Sequence, residues 1–262
     1  MAVVNVMPDN LDEQNRAFEQ AALNQPVFLN SVPKSGSHLL RNILRMFVPV
    51  EQQYQKQFVQ WGNMPEHLDA WDRSTNYLSW GHLFFSDASA LELGHVRKVL
   101  LVRDPHDWVL ARARFFMSDN FQGNVDFIKD GSLSIDDLLS LMIFGIHGKA
   151  PPMADIYRFN AAAWLGSDIH VIQFEQLVRQ CADLGSDEAE AFFTALLGAC
   201  GIAVPGDWRD RVRIGSDRKQ SGTARENLAG QTLSLPDSLP AKHRRLVDFA
   251  APGLRSLLGY AP

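Results

Sequence analysis

The chain has 262 residues, 46% hydrophobic and 21% charged, with a formal net charge of −5. Such a composition suits a globular protein with one sizeable core, and the acidic balance excludes a global basic signature for nucleic acid. Cys181 and Cys200 are too few for a disulfide framework and lack metal-ligand spacing, so they read as buried thiols in a reducing, cytoplasmic setting. Residues 1–25 carry no apolar core of the signal-peptide type, and no run approaches the length of a membrane span.

The first predicted element is a polar helix over residues 11–22. A short apolar run from Val27 then ends at Pro33. Lys34-Ser35-Gly36-Ser37-His38 follows, and Leu39, Leu40, Ile43, Leu44 and Phe47 fall at helical spacing. That pattern predicts strand, loop, helix. Over 48–76 the pattern weakens. Tyr54, Phe58, Trp61 and Trp71 are interspersed with Gly62 and Pro65, and they read either as an insertion walling an acceptor pocket or as ordinary core. Residues 77–82 predict a short strand ending at His82. Residues 98–103 predict a strand buried on both faces, because four apolar residues precede the charge of Arg103. Asp104-Pro105 starts a helix through about 117. Helices are expected over 135–146 and 152–165, a strand over 169–174, and a helix from Glu175. A further helix is expected over 188–200, and closing helices over 240–258. Residues 207–231 are polar and rich in arginine and glycine.

Strands alternating with helices predict a single α/β domain, 1–262, with a P-loop NTPase-like parallel sheet covered on both faces. Such sheets bind ligands at the carboxyl ends of their strands, and Lys34, His82 and Arg103 all fall at or just after predicted strand ends. The Lys34 loop leads into a helix N-terminus, whose unpaired amides and partial positive charge suit an anion. Gly36 permits close backbone approach, Lys34 adds a cation, and Ser35 and Ser37 add hydroxyls. The lysine precedes the glycine, so this is not the G-x-x-x-x-G-K-[ST] loop of nucleoside triphosphatases.

Pro33-Lys34-Ser35-Gly36-Ser37 resembles the 5′-phosphosulfate loop of sulfotransferases that use 3′-phosphoadenosine 5′-phosphosulfate (PAPS). His38 and Leu39 depart from it, and Leu39 stands where the family has a tryptophan that stacks on adenine. Residues 99–116 resemble the family's 3′-phosphate motif, a strand ending in arginine, here Arg103. The serine expected eight residues later is Ala111, so that contact is missing, or Arg112 or Arg114 supplies a substitute. His82, 21 positions before Arg103, stands where the family's Lys-Thr-His segment places its base, with Trp80 and Gly81 in place of lysine and threonine. His38, His95 and His106 are its rivals. Arg218-Lys219-Gln220-Ser221-Gly222 resembles the Arg-Lys-Gly element that closes over the 3′-phosphate, with Gln220 where the first glycine is expected. Phe174-Glu175 falls at the family's Tyr-Glu position, where Phe174 could touch adenine.

The resemblance runs from residue 27 to about 222, in the family's order. It implies sulfuryl transfer from PAPS to a hydroxyl of a small or medium organic acceptor, leaving 3′-phosphoadenosine 5′-phosphate (PAP). Lys34 and His82 would be catalytic. Lys34, Ser35, Gly36, Ser37, His38, Arg103, Phe174, Arg218 and Lys219 would bind the nucleotide, the last two from a nucleotide-closing loop over 207–231. No metal is expected, since lysine and backbone donors neutralise the charge. Two other readings stand beside it. One is an ATP-dependent small-molecule kinase with Asp104 as a magnesium ligand. The other is an inactive nucleotide-binding protein, in line with the departures at Leu39, Gly81, Ala111 and Gln220.

Overall fold

The computed structural model describes residues 3–4, 8–56, 58–123, 125–221 and 234–261. Its strands are β1 (Val3–Val4), β2 (Val27–Ser31), β3 (Val59–Gln60), β4 (Leu78–His82), β5 (Arg97–Val102), β6 (Phe121–Gln122) and β7 (His170–Gln173). Its helices begin with α1 (Leu11–Asn15), α2 (Ser37–Arg45), α3 (Asp87–Glu92), α4 (Pro105–Phe116), α5 (Ile135–Phe144) and α6 (Met153–Asn160). They continue with α7 (Phe174–Ala182), α8 (Asp187–Ala199), α9 (Trp208–Gly215), α10 (Ala241–Ala250) and α11 (Leu254–Leu257).

Five strands form an all-parallel sheet in the order β3-β4-β2-β5-β7, while β1 and β6 pair antiparallel elsewhere. Parallel strands need both faces covered, and residue alternation supplies two cores. Phe28, Val32, Leu100 and Val102 pack with α4, α5, α6 and α10 on one face. Val27, Leu29, Val99 and Leu101 pack with α2, α8 and α9 on the other. Each large apolar side chain so buried contributes about 1.5–3 kcal/mol. Trp108, Trp164 and Phe193 are among the largest. Central β2 pairs with β4 on one side and β5 on the other, so the crevice at its carboxyl end is where such a sheet opens to a ligand.

The element ends follow from local chemistry. Asp104 caps α4 by accepting the His106 N–H at 2.9 Å, and Pro105 occupies the first turn, where its missing donor costs nothing. Ser134 and Ser186 cap α5 and α8 in the same way.

Three expectations need correction. The helix expected over 11–22 is only the short α1. Asn15 turns its side chain onto the Arg45 and Val48 carbonyls, at 2.6 and 3.0 Å, fastening the chain to the end of α2. Residues 48–76 are not simply an insertion beside the sheet, because they contain its edge strand β3. A Cβ on Gly81 would overlap the Val59 carbonyl, so β3 can pair there only because Gly81 has no side chain. Residues 207–231 include helix α9; residues 222–233, with Gly222, lie outside the described residues.

Candidate active site

Lys34 and Gly36 follow β2 with φ of 67° and 93°. The turn from strand to helix therefore needs the left-handed region twice within three residues, which glycine adopts freely and lysine does not. Gly36 is the residue before α2 and supplies no side-chain cap, so the first amides of the helix have no side-chain acceptor there. Among the described residues the Ser35 hydroxyl is buried without a partner, and so is Nε of Arg103. Lys34 Nζ lies 3.0 Å from the centroid of the Phe115 ring and makes no ion pair among the described residues. Burial pushes its pKa down to about 7. Trp108 Nε1–H donates to the Pro33 carbonyl, tying the loop to α4. Among the described residues, an uncapped helix start, two buried donors without acceptors and a cation without counter-ion form a set that fits a phosphosulfate.

His82 ends β4 beside this loop. Its Nδ1 is 2.9 Å from the Ser31 carbonyl, which can only accept, so Nδ1 carries the proton and Nε2 keeps a lone pair. The Ser31 hydroxyl lies 3.1 Å from the same Nδ1 and donates to the Gly81 carbonyl at 3.2 Å. Its one proton being used there, the Ser37 hydroxyl donates to Ser31 Oγ across 2.7 Å. A continuous chain thus joins the loop hydroxyl to the imidazole. Burial pushes the His82 pKa down to about 4, the Lys34 charge adding to the effect against opposing hydrogen bonds to the Ser31 and Gly81 backbone. The ring is therefore neutral at physiological pH. Asn30 fixes the backbone just beyond it, donating to the Leu83 carbonyl at 3.1 Å and accepting the Leu83 N–H at 2.9 Å. Phe58 lies against His82, with centroids 5.4 Å apart, and against Trp80.

Arg103 follows β5. Its Nη1 donates to the Lys34 carbonyl at 3.4 Å, and its guanidinium lies 4.5 Å from the centre of the Phe174 ring. The same ring covers Gly36, where a Cβ would overlap it. Phe174 is thus in contact with both the loop and Arg103. Tyr157 donates to the Arg103 carbonyl at 2.8 Å. Arg112 does not substitute for the missing serine. It is buried in α4, and its guanidinium donates to the Met142 and Pro151 carbonyls at 2.8 and 2.9 Å. Asp104 is equally committed, with Arg255 on both its carboxylate oxygens at 3.0 and 2.9 Å.

Arg218 and Lys219 lie in a 3-10 turn after α9, with the Lys219 N–H donating to Asp217 at 3.0 Å. Gln220 anchors this turn. Its side chain accepts the Asn10 N–H at 3.2 Å and donates to Asn10 Oδ1 at 2.7 Å, while its carbonyl accepts from Asn42 of α2 at 3.0 Å. The departure from glycine thus ties the turn to the N-terminal arm and to α2.

The rival histidines separate by position. His95 precedes β5, at the amino ends of the strands, and bonds the Trp71 carbonyl. His106 faces Asp248 of α10. His38 stays close, in the first turn of α2 and edge-on to Trp80 at 5.1 Å. Burial, then the charges of Arg41, Lys34 and His82, push its pKa down to about 3. Asn30, Ser31 and Phe115 had no motif to mark them, and Phe58 stood out only as one of several aromatic residues over 48–76. The one signal was a polar Asn30-Ser31 pair inside an otherwise apolar strand.

No protein-family model matches the chain, and no curated protein matches it in sequence. In structure it is similar to the mouse sulfotransferase SULT7A1 crystallised in complex with PAP. The TM-score is 0.60 at 15% identity, over 96% of this chain and 94% of that one. Among the described residues no helix is long and apolar enough to cross a membrane. The chain has the α/β fold of the cytosolic-type sulfotransferases, a five-stranded parallel sheet flanked by helices and similar to that of P-loop NTPases.

Proposed function

We propose that this protein is a sulfotransferase that moves a sulfuryl group from PAPS to a hydroxyl of a small or medium organic acceptor. The observation that carries the reading is the Nδ1–H bond of His82 to the Ser31 carbonyl, beside a lysine with no counter-ion among the described residues. It leaves Nε2 as a proton acceptor next to an anion-receptive loop. Bound PAPS supplies a sulfuryl group on a phosphate leaving group. Lys34, Ser35, Ser37, His38 and the amides after Gly36 hold the phosphosulfate, and Lys34 neutralises charge that grows on the leaving oxygen. His82 Nε2 takes the acceptor proton. Arg103, Arg218 and Lys219 bind the 3′-phosphate, and Phe174 backs the Arg103 guanidinium with its ring. The aromatic group of Phe58 and Trp80 supports an apolar acceptor wall beside His82.

The kinase reading is weakened by Asp104, whose carboxylate is held by Arg255 and by the start of α4. Thermal shift with PAP against ATP–Mg²⁺, followed by turnover of PAPS with a panel of hydroxyl acceptors, tests the proposal. Stabilisation by PAP and sulfate-ester formation are expected. Stabilisation by ATP–Mg²⁺ alone overturns it. PAP binding without turnover across the panel leaves a nucleotide-binding protein.

A further inference from the structure

A cationic cavity lies at the end of the sheet opposite the candidate active site. It measures about 400 Å³ and is lined by Asn24, Gln25, Arg73, Asn76, His95 and Arg97, where β2, β4 and β5 begin. The Lys34 loop, His82 and Arg103 sit at the other ends of the same strands. The lining includes two guanidiniums and three amide side chains, and no carboxylate. Neither Arg73 nor Arg97 makes an ion pair among the described residues. Nε of Arg97 is buried without a partner among the described residues. Its side chain lies along Gly201, where a Cβ would come within 2.7 Å of Nε, so the backbone of that turn holds the guanidinium in place. His95 is fixed by its Nε2–H bond to the Trp71 carbonyl at 2.8 Å, and Gln25 by its bond to the His95 carbonyl. A partly desolvated guanidinium without a counter-charge is unfavourable until an anion joins it.

We propose that this cavity is a second ligand site, separate from the nucleotide site, which takes a tetrahedral oxyanion as free phosphate or as the phosphomonoester of a small molecule. Arginine forks match phosphate oxygens, and donors from three chain segments suit an anion with three or four oxygens better than a carboxylate with two. The volume exceeds that of the ion alone and leaves room for a few carbon atoms.

The test is calorimetric titration of inorganic phosphate and of glycerol 3-phosphate at constant ionic strength. A Lys34→Met background removes the loop cation, and saturating PAP occupies the Arg103, Arg218 and Lys219 side of the nucleotide site, so that site does not confuse the reading. Phosphate binding is expected to persist in Lys34→Met. It should weaken about tenfold or more on adding Arg73→Gln or Arg97→Gln, since each loses a charged hydrogen bond. Tighter binding of glycerol 3-phosphate assigns the site to a phosphomonoester, and tighter binding of phosphate to the free ion. Loss of all phosphate binding in Lys34→Met overturns the proposal, as does unchanged affinity in Arg73→Gln. Arg73 is exposed, so its replacement decides the matter even where Arg97→Gln disturbs folding.

Discussion

At the scale of single residues, protonation states are set by burial. His82 is neutral above about pH 4, its Nδ1–H directed at Ser31. His82→Ala should bind PAP normally and lose about 10²–10⁴-fold in rate with an alcohol acceptor. A low-pKa phenol should lose less, because it parts with its proton more readily. The acid limb of the wild-type rate should fall through about pH 4, not near the ordinary histidine value of 6.5. A limb near 6.5 would mean that another group is the base. Stability follows the same sign. With the folded pKa depressed, the His82 contribution is complete above about 6.5 and is lost as pH falls towards 4. Lys34 gives the opposite test. With a pKa of about 7 it is mostly neutral at pH 8 in the free protein, and a bound anion favours its charged form. PAP binding at pH 8 should therefore take up close to one proton more in wild type than in Lys34→Met. Calorimetry in buffers of different ionisation heat measures this, and the difference should vanish by pH 6. Equal proton uptake by both proteins at pH 8 would show that Lys34 does not meet the anion.

At the scale of elements, the loop between β2 and α2 depends on Gly36. At a φ of 93°, an alanine there is strained by about 1–2 kcal/mol, and its Cβ would also overlap the Phe174 ring. Gly36→Ala should lower the melting temperature and weaken PAP binding together, because displacing Phe174 also releases Arg103. A variant that loses stability but keeps wild-type affinity for PAP would show that Phe174 does not organise the site. This loop was legible because a strand, a small-residue turn and a helical repeat follow one another. So was β5, whose four apolar residues stop at Arg103. Strand β3 was not, because two residues cannot show alternation and its pairing depends on Gly81 across the sheet. Helix α9 was hidden by Arg209, Arg211 and Arg213, which leave Trp208 and Val212 as its buried apolar residues. Within the site, Lys34, His82 and Arg103 could be read as residues at strand ends. The roles of Ser31 and Asn30 could not, since both act through contacts between strands about fifty residues apart in sequence.

At the scale of the molecule, the Arg103 corner is held by chain from four places. Tyr157 of α6 bonds the Arg103 carbonyl at 2.8 Å. Glu175 of α7 accepts the Asp104 N–H at 3.1 Å and the Tyr260 hydroxyl at 2.8 Å. Arg255 of α11 holds both oxygens of Asp104 in a fork, and that carboxylate raises the pKa of its guanidinium. The side chains of the pair are only 19% and 16% exposed, so the interaction is stronger than a surface ion pair. Arg255→Ala leaves a largely buried carboxylate with one partner fewer, at a cost of about 1.5–3 kcal/mol. Asp104→Asn keeps the helix cap, because asparagine caps as well as aspartate, and removes only the charge. The two substitutions should therefore cost less together than the sum of their separate effects. The functional consequence lies at the residue before Asp104. With the corner loosened, Arg103 should hold a 3′-phosphate less well. Affinity for PAP should fall about tenfold, while affinity for adenosine 5′-phosphosulfate, which lacks that phosphate, changes little. Equal losses for both nucleotides would mean that Arg255 supports the fold in general and that the corner does not transmit its effect to Arg103.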